Sequence, residues 1–251
     1  MQRFTHHVAS SSPLLKRLLA GDAAVPYVLF RHAADEKGSC HYATDFPVAE
    51  GSGRAFALLP GSFNPLHAGH LSLAEGVAQM SNQSVFFEMS ASHPDKGYLS
   101  ETDVVQRVSQ FFSGRVCQPV IVSRCSLYID KARMFPHSTI VIGADTMVRI
   151  LNPKYYEGNN FEGVLTMLQQ IASQGVNFFV AGRIEDSTGK EDSGTFITGD
   201  DVLQKMVPVA GDRARMPPDM FRSIPEDVFR VDLSSTELRR ARLETAAATR
   251  L

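Results

Sequence analysis

Apolar residues in this chain fall into short unbroken runs, separated by stretches in which they recur every three or four positions. Phe56 to Leu59, Val85 to Met89, Val120 to Val122, Thr139 to Ile142 and Val176 to Ala181 are runs of the first kind, the pattern of parallel strands buried on both faces. Between them lie helical stripes. Leu73, Val77 and Met80 form one, on a helix starting near Ala68; Val104, Val105, Val108, Phe111 and Phe112 form another, on a helix from Glu101 to Phe112 that ends at Gly114. Further helices are expected around Leu127 to Phe135 and Phe161 to Ser173, and a last short strand at Val228 to Leu233. This alternation predicts an α/β fold: a doubly wound parallel sheet of five to six strands with helices on both faces.

The pattern also divides the chain. Residues 51–246 read as one domain, residues 1–50 as an N-terminal extension and residues 247–251 as a tail. Within the extension, Leu14, Leu15, Leu18 and Leu19 give a helix from Pro13 to Ala20 a docking stripe. The same region has no acid before Asp22 but carries Arg3, His6, His7, Lys16 and Arg17, so an organellar targeting peptide is the competing account. Glu185 to Gly194 is charged and aperiodic, the pattern of a mobile surface loop. Asp201 to Pro225 reads as small helices, which places a helical insertion at about 184–227, before the last strand.

Composition adds mainly exclusions. The chain has 251 residues, 43% hydrophobic and 21% charged, with a net charge of −2. Nothing in that balance points to a nucleic-acid partner. Cys40, Cys117 and Cys125 have no metal-ligand spacing and fit a reducing compartment. No apolar stretch approaches the ~20 residues of a membrane span. The expectation is a cytoplasmic or nuclear protein with no membrane partner, its self-association left open.

Candidate chemistry concentrates in three places. Gly61 to His70 reads GSFNPLHAGH, a strand-to-helix turn ending in two histidines three residues apart and therefore on one helix face. A helix N-terminus carries about half a positive charge, so imidazoles there would meet a phosphate, and Gly61 and Gly69 would let it approach the backbone. Read from the residues alone, the same segment is equally a shaped turn with solvated or capping histidines. The second place is VDLSSTELRRAR, where Ser234 precedes Glu237 by three residues as in a capping box. The third is VIGADTMVRIL, in which Asp145 either caps a helix or meets a ligand. Lys96, at the carboxyl edge after the second strand, either holds a phosphate or is solvated. Arg183, after the fifth strand, is a similar but weaker candidate.

GxFxPxHxGH is the motif of the nucleotidylyltransferase superfamily, and Gly61, Phe63, Pro65, His67, Gly69 and His70 fill its fixed positions. SSTxxR, matched by Ser234, Ser235, Thr236 and Arg239, resembles its second nucleotide-binding motif, and Gly143, Ala144 and Asp145 resemble the GxD turn of adenylyltransferases. From about Leu14 to Arg242, the chain looks most like the eukaryotic nicotinamide mononucleotide adenylyltransferase relatives of the fungal promotion-of-filamentation type. The resemblance implies a Rossmann-like fold and transfer of AMP from ATP, with Mg²⁺, to nicotinamide or nicotinic acid mononucleotide, releasing pyrophosphate and forming NAD or its deamido precursor. It implies His67, His70 and Arg239 as catalytic residues. ATP would be held by Gly61, Ser62, Phe63, His67, Gly69, His70, Ser234, Ser235, Thr236 and Arg239; Ser62, Phe63, Gly143 and Asp145, joined by Lys96, would meet the acceptor. The chain has no Trp, whereas better-known members stack one on the pyridine ring, so Phe86, Phe87, Tyr98 or Tyr155 would have to replace it. A transferase with another phosphorylated acceptor and a non-catalytic nucleotide-binding regulator are the alternatives.

Overall fold

The fold is built on one eight-stranded sheet, seen in a computed structural model that describes residues 13–32, 40–43, 56–93, 97–112, 118–185, 195–207 and 209–230. In chain order the elements are α1 (Pro13–Leu19), β1 (Tyr27–His32), β2 (Cys40–Ala43), β3 (Phe56–Pro60), α2 (Ala68–Ser81) and β4 (Ser84–Ser90). A short hairpin, β5 (Ser92–His93) and β6 (Gly97–Tyr98), precedes α3 (Glu101–Ser109), which tightens into a 3-10 turn over Gln110–Phe112. β7 (Val120–Ser123), α4 (Tyr128–Met134), β8 (Ser138–Gly143), α5 (Ala144–Ile150), α6 (Phe161–Ser173) and β9 (Asn177–Ala181) follow. A second hairpin, β10 (Arg183–Glu185) and β11 (Thr195–Ile197), leads to α7 (Gly199–Met206), α8 (Ala210–Arg215) and β12 (Phe221–Ser223).

The strand order is β12-β9-β8-β3-β4-β7-β1-β2. The six strands from β12 to β7 are parallel, whereas β1 and β2 extend the edge antiparallel. The Rossmann-like α/β fold with a parallel sheet of five to six strands is therefore as expected, and among the described residues two antiparallel edge strands bring the sheet to eight. The first fifty residues supply the docking helix, with Leu15 and Leu18 buried, and also two strands of the central sheet. The end of the chain needs a correction. Among the described residues the last parallel strand is β12, inside the expected insertion, where Phe221 stacks on Phe178 of β9 with ring centroids 5.2 Å apart. Val228, expected in a strand, instead sits in a turn whose N–H donates to the Pro225 carbonyl. It packs so closely on α2 that a Cβ at Gly76 would lie 2.9 Å from the Val228 carbonyl oxygen. The rest of that expected strand, residues 231–233, and most of the expected mobile loop, residues 186–194, lie outside the described residues.

Strand side chains alternate between two faces, and both faces are covered. Ala57 and Leu59 of β3 join a core built with α1, α2 and α3, while Phe56 and Leu58 point to the side of α4, next to a core with α5, α6 and α7. Helix starts are chemically marked: the Ser100 hydroxyl accepts the Asp103 N–H at 3.1 Å to open α3, and the Asn160 side-chain oxygen accepts the Gly163 N–H at 3.3 Å to open α6. From β3 the chain winds through α2 to β4 on one side, and from β8 it winds through α5 and α6 to β9 on the other. The carboxyl ends of β3 and β8 thus flank the topological switch point, where open α/β sheets leave a ligand-sized crevice.

Candidate active site

One wall of that crevice is the loop from Gly61 to His67. The Gly61 N–H donates to the Glu88 backbone carbonyl at 2.9 Å, so the loop starts as a continuation of the sheet. Phe63 then turns with φ of 45°, a left-handed conformation that a bulky residue adopts only when its surroundings dictate it. They do so here. Its ring is fully buried, edge-on to Phe87, Phe111 and His70 at centroid distances of 5.4, 5.1 and 5.1 Å. A Cβ at Gly61 would lie 2.7 Å from that ring. Gly61 therefore makes room for the Phe63 ring, and the burial of that ring leaves Phe63 its backbone to present to the crevice.

A second set of contacts holds the loop from outside, and sequence reasoning missed it. The Gln110 side chain accepts the Leu66 N–H at 2.9 Å and donates to the Phe63 carbonyl at 3.0 Å. One helical turn earlier, Arg107 donates to the Ser62 carbonyl at 3.2 Å. Polar side chains at i and i+3 on one helix face are the only trace this leaves in the sequence.

The loop delivers two histidines to the start of α2. His67 is the N-cap residue in extended conformation, and its N–H donates to Nδ1 of His70 at 3.3 Å. Because Nδ1 of His70 accepts, the ring proton of the neutral form resides on Nε2, which is left as a donor. The two rings stack at 3.7 Å with 28° between their planes. Burial, reinforced by the stacked His67, pulls His70 down to about 4, and burial lowers His67 as well. At neutral pH the pair is thus uncharged, and it presents hydrogen-bond donors beside the positive end of a helix, a setting suited to phosphate oxygens.

The opposite wall belongs to β8. The pairs Phe56 with Ser138, Ala57 with Thr139 and Leu58 with Ile140, carried on to the strand ends, bring Gly61 level with Gly143. Nothing lies within 4 Å of a Cβ built on Gly143, so this glycine, unlike Gly61, borders open space. Gly143 caps α5 through its backbone, with no side chain capping the helix. Asp145 is not a cap; its carboxylate meets Arg183, beyond β9, at 2.9 Å. The structure thus brings Gly61, Ser62, Phe63, His67, Gly69 and His70 to one side of the crevice and Gly143 and Asp145 to the other. Lys96, Ser234, Ser235, Thr236 and Arg239 lie outside the described residues. Of the proposed stacking aromatics, Phe86 and Phe87 are buried in the cores, while Tyr98 and Tyr155 are exposed.

A match to known families decides what kind of crevice this is: the cytidylyltransferase-like family covers residues 58–241, most of the chain. The chain belongs to the cytidylyltransferase-like family. Its nucleotidyltransferase fold accounts for the histidine loop and the Gly143 turn facing each other at the switch point. No characterised protein matches the chain.

Proposed function

We propose that this cytidylyltransferase-like protein is an adenylyltransferase that joins AMP from ATP to nicotinamide or nicotinic acid mononucleotide, forming NAD or its deamido precursor and releasing pyrophosphate. The observation that carries the reading is the stacked His67 and His70 pair at the start of α2, across the switch point from open Gly143. In such a transfer, an acceptor phosphate oxygen attacks the α-phosphorus of ATP, that bond forms as the bond to the β-phosphate bridging oxygen breaks, and pyrophosphate departs with the electron pair. A phosphomonoester is mostly ionised at pH 7, so no general base is needed. Positioning and charge stabilisation carry the rate. Nε2 of His70, joined by His67, would donate to the triphosphate.

Ser234, Ser235, Thr236 and Arg239 would close on the leaving pyrophosphate. Chain length supports this. Val228 packs on Gly76, and the six residues from there to Ser234 span up to about 20 Å. The helix from Gly76 back to His67 covers only about 13 Å. Mg²⁺ would enter with ATP and offset phosphate charge. Such an ion would be held mostly by phosphate oxygens and water. The burial of Phe86 and Phe87 favours a second reading, in which another phosphorylated acceptor replaces the pyridine mononucleotide. Pyrophosphate release from ATP across a panel of acceptors tests both. Product with a pyridine mononucleotide alone is the expected result, and product only with another acceptor, such as phosphopantetheine, would replace the first reading by the second.

A further inference from the structure

The most heavily buried charges among the described residues are not in the histidine loop. Glu88, fully buried in β4, and Lys131, 4% exposed on α4, pair at 2.7 Å. Lys131 Nζ also donates to the Cys125 carbonyl at 2.6 Å and the Ser90 hydroxyl oxygen at 2.9 Å, which uses all three of its protons. The other carboxylate oxygen of Glu88 accepts the Ser123 hydroxyl at 2.6 Å, and Ser123 Oγ in turn accepts the Cys125 N–H at 3.0 Å. Every group in this network is satisfied, as buried charges require.

Apart from Lys131 on α4, its members share one address, the carboxyl ends of β4 and β7 and the segment 124–127 that follows β7. Two further bonds extend the tie: the Ser90 hydroxyl donates to the Cys125 carbonyl, and the Ser92 hydroxyl donates to the Arg124 carbonyl at 2.8 Å. Ser92 pairs with Tyr98 in the β5/β6 hairpin. The two segments so joined carry two of the four exposed large hydrophobic residues among those described, Tyr98 at 61% and Leu127 at 52%. Both segments leave the carboxyl edge of the sheet, one after β4, next to β3, and one after β7, next to β4, and exposed apolar side chains at that edge suit a planar ring.

We propose that Glu88 and Lys131 are positioning residues that hold this Tyr98 and Leu127 rim in place for the aromatic base of the acceptor mononucleotide. The inference rests on the adenylyltransferase reading above. It assigns the acceptor half of the reaction to the buried ion pair and leaves the ATP half to the histidine loop.

The test uses the full chain with ATP, Mg²⁺ and whichever acceptor the wild type converts. Three variants separate positioning from folding: Ser90→Ala, Tyr98→Ala, and the double variant Glu88→Gln with Lys131→Met, which removes both charges together. Each is expected to raise the acceptor KM, roughly tenfold for Tyr98→Ala and the double variant and less for Ser90→Ala, with the KM for ATP within about twofold of wild type. An unchanged acceptor KM in Ser90→Ala and Tyr98→Ala, or equal rises for both substrates, overturns the proposal. Should the wild type convert no acceptor, the reading of function has failed, and amide hydrogen exchange on the Ser90→Ala variant tests the tie itself. Faster exchange confined to residues 90–92 and 124–127 supports it, and exchange unchanged there or raised throughout the sheet contradicts it.

Discussion

Two neighbouring stretches of the carboxyl edge are held in opposite ways. The histidine loop after β3 is fixed mainly by uncharged groups: an amide side chain, a buried phenyl ring and a neutral imidazole pair, with a single guanidinium, that of Arg107, at its Ser62 carbonyl. The segments after β4 and β7, two strands away at most, are fixed by a buried carboxylate and ammonium. Neutral hydrogen bonds and packing define a loop at modest desolvation cost and add little charge of their own where a highly charged ligand is to bind. A buried ion pair enforces its geometry more strictly, since losing either partner strands the other charge in the core. The contrast fits a site in which the polyphosphate meets a neutral wall that takes its charge from a helix start, while a less charged ring rests on a rigid apolar rim.

The largest break in this contrast comes from the charged side. Lys131→Met leaves the Glu88 carboxylate buried and unpaired, with an expected cost of about 3–5 kcal/mol in urea unfolding, whereas the double variant with Glu88→Gln should recover most of it. On the neutral side, Gln110→Ala removes both side-chain bonds to the loop and orphans the Leu66 N–H. The expected loss is about 1–3 kcal/mol, with kcat lowered more than acceptor affinity because the histidines lose their footing.

A pH series sharpens the same comparison. His70 is held at about 4 in the folded chain, below its ordinary value near 6.5. Between those values the unfolded chain binds more protons, so stability should be complete above about pH 6.5 and fall as pH drops toward about 4. Replacement by Gln, which cannot take up a proton, should flatten that part of the profile in thermal unfolding. Gly143→Ala should have the smallest effect on the fold, within about 0.5 kcal/mol of wild type, since the added methyl meets only open space. Nucleotide affinity, read by calorimetric titration, should nevertheless fall if that space receives the ligand, as the proposed function requires.

Much of this was legible in the sequence, for reasons the residues make plain. The parallel strands from β3 to β9 announced themselves because burial on both faces demands unbroken apolar runs such as Phe56 to Leu59. β12 is three residues, Phe-Arg-Ser, too short for any period, and is a strand only because β9 lies beside it. The extension was expected to supply only a docking helix, because the pairing of Tyr27 to Phe30 with β7, some ninety residues later, leaves no mark in the sequence. The histidine turn was legible as a motif, yet what holds it was not. Gln110 lies 44 residues beyond Leu66, and a lone Gln on a helix face says nothing about its partner. Glu88 is the instructive case: an ionised acid inside an apolar strand requires a buried partner, and that physical demand could have led toward Lys131 on α4, the second α-helix after β4. The residues from Ser234 to Arg239 lie outside the described structure, so their place beside the histidines stands as a proposal.

The most direct measurement is NAD formation with stoichiometric pyrophosphate release by purified protein given ATP, Mg²⁺ and either pyridine mononucleotide, with His70→Ala alongside. Turnover by the wild type, reduced about a hundredfold or more in the variant while its thermal unfolding stays cooperative, is the expected result. Equal turnover by the two proteins would remove the histidine pair from the chemistry. ATP binding without any product, across both mononucleotides, would contradict the assignment of the acceptor.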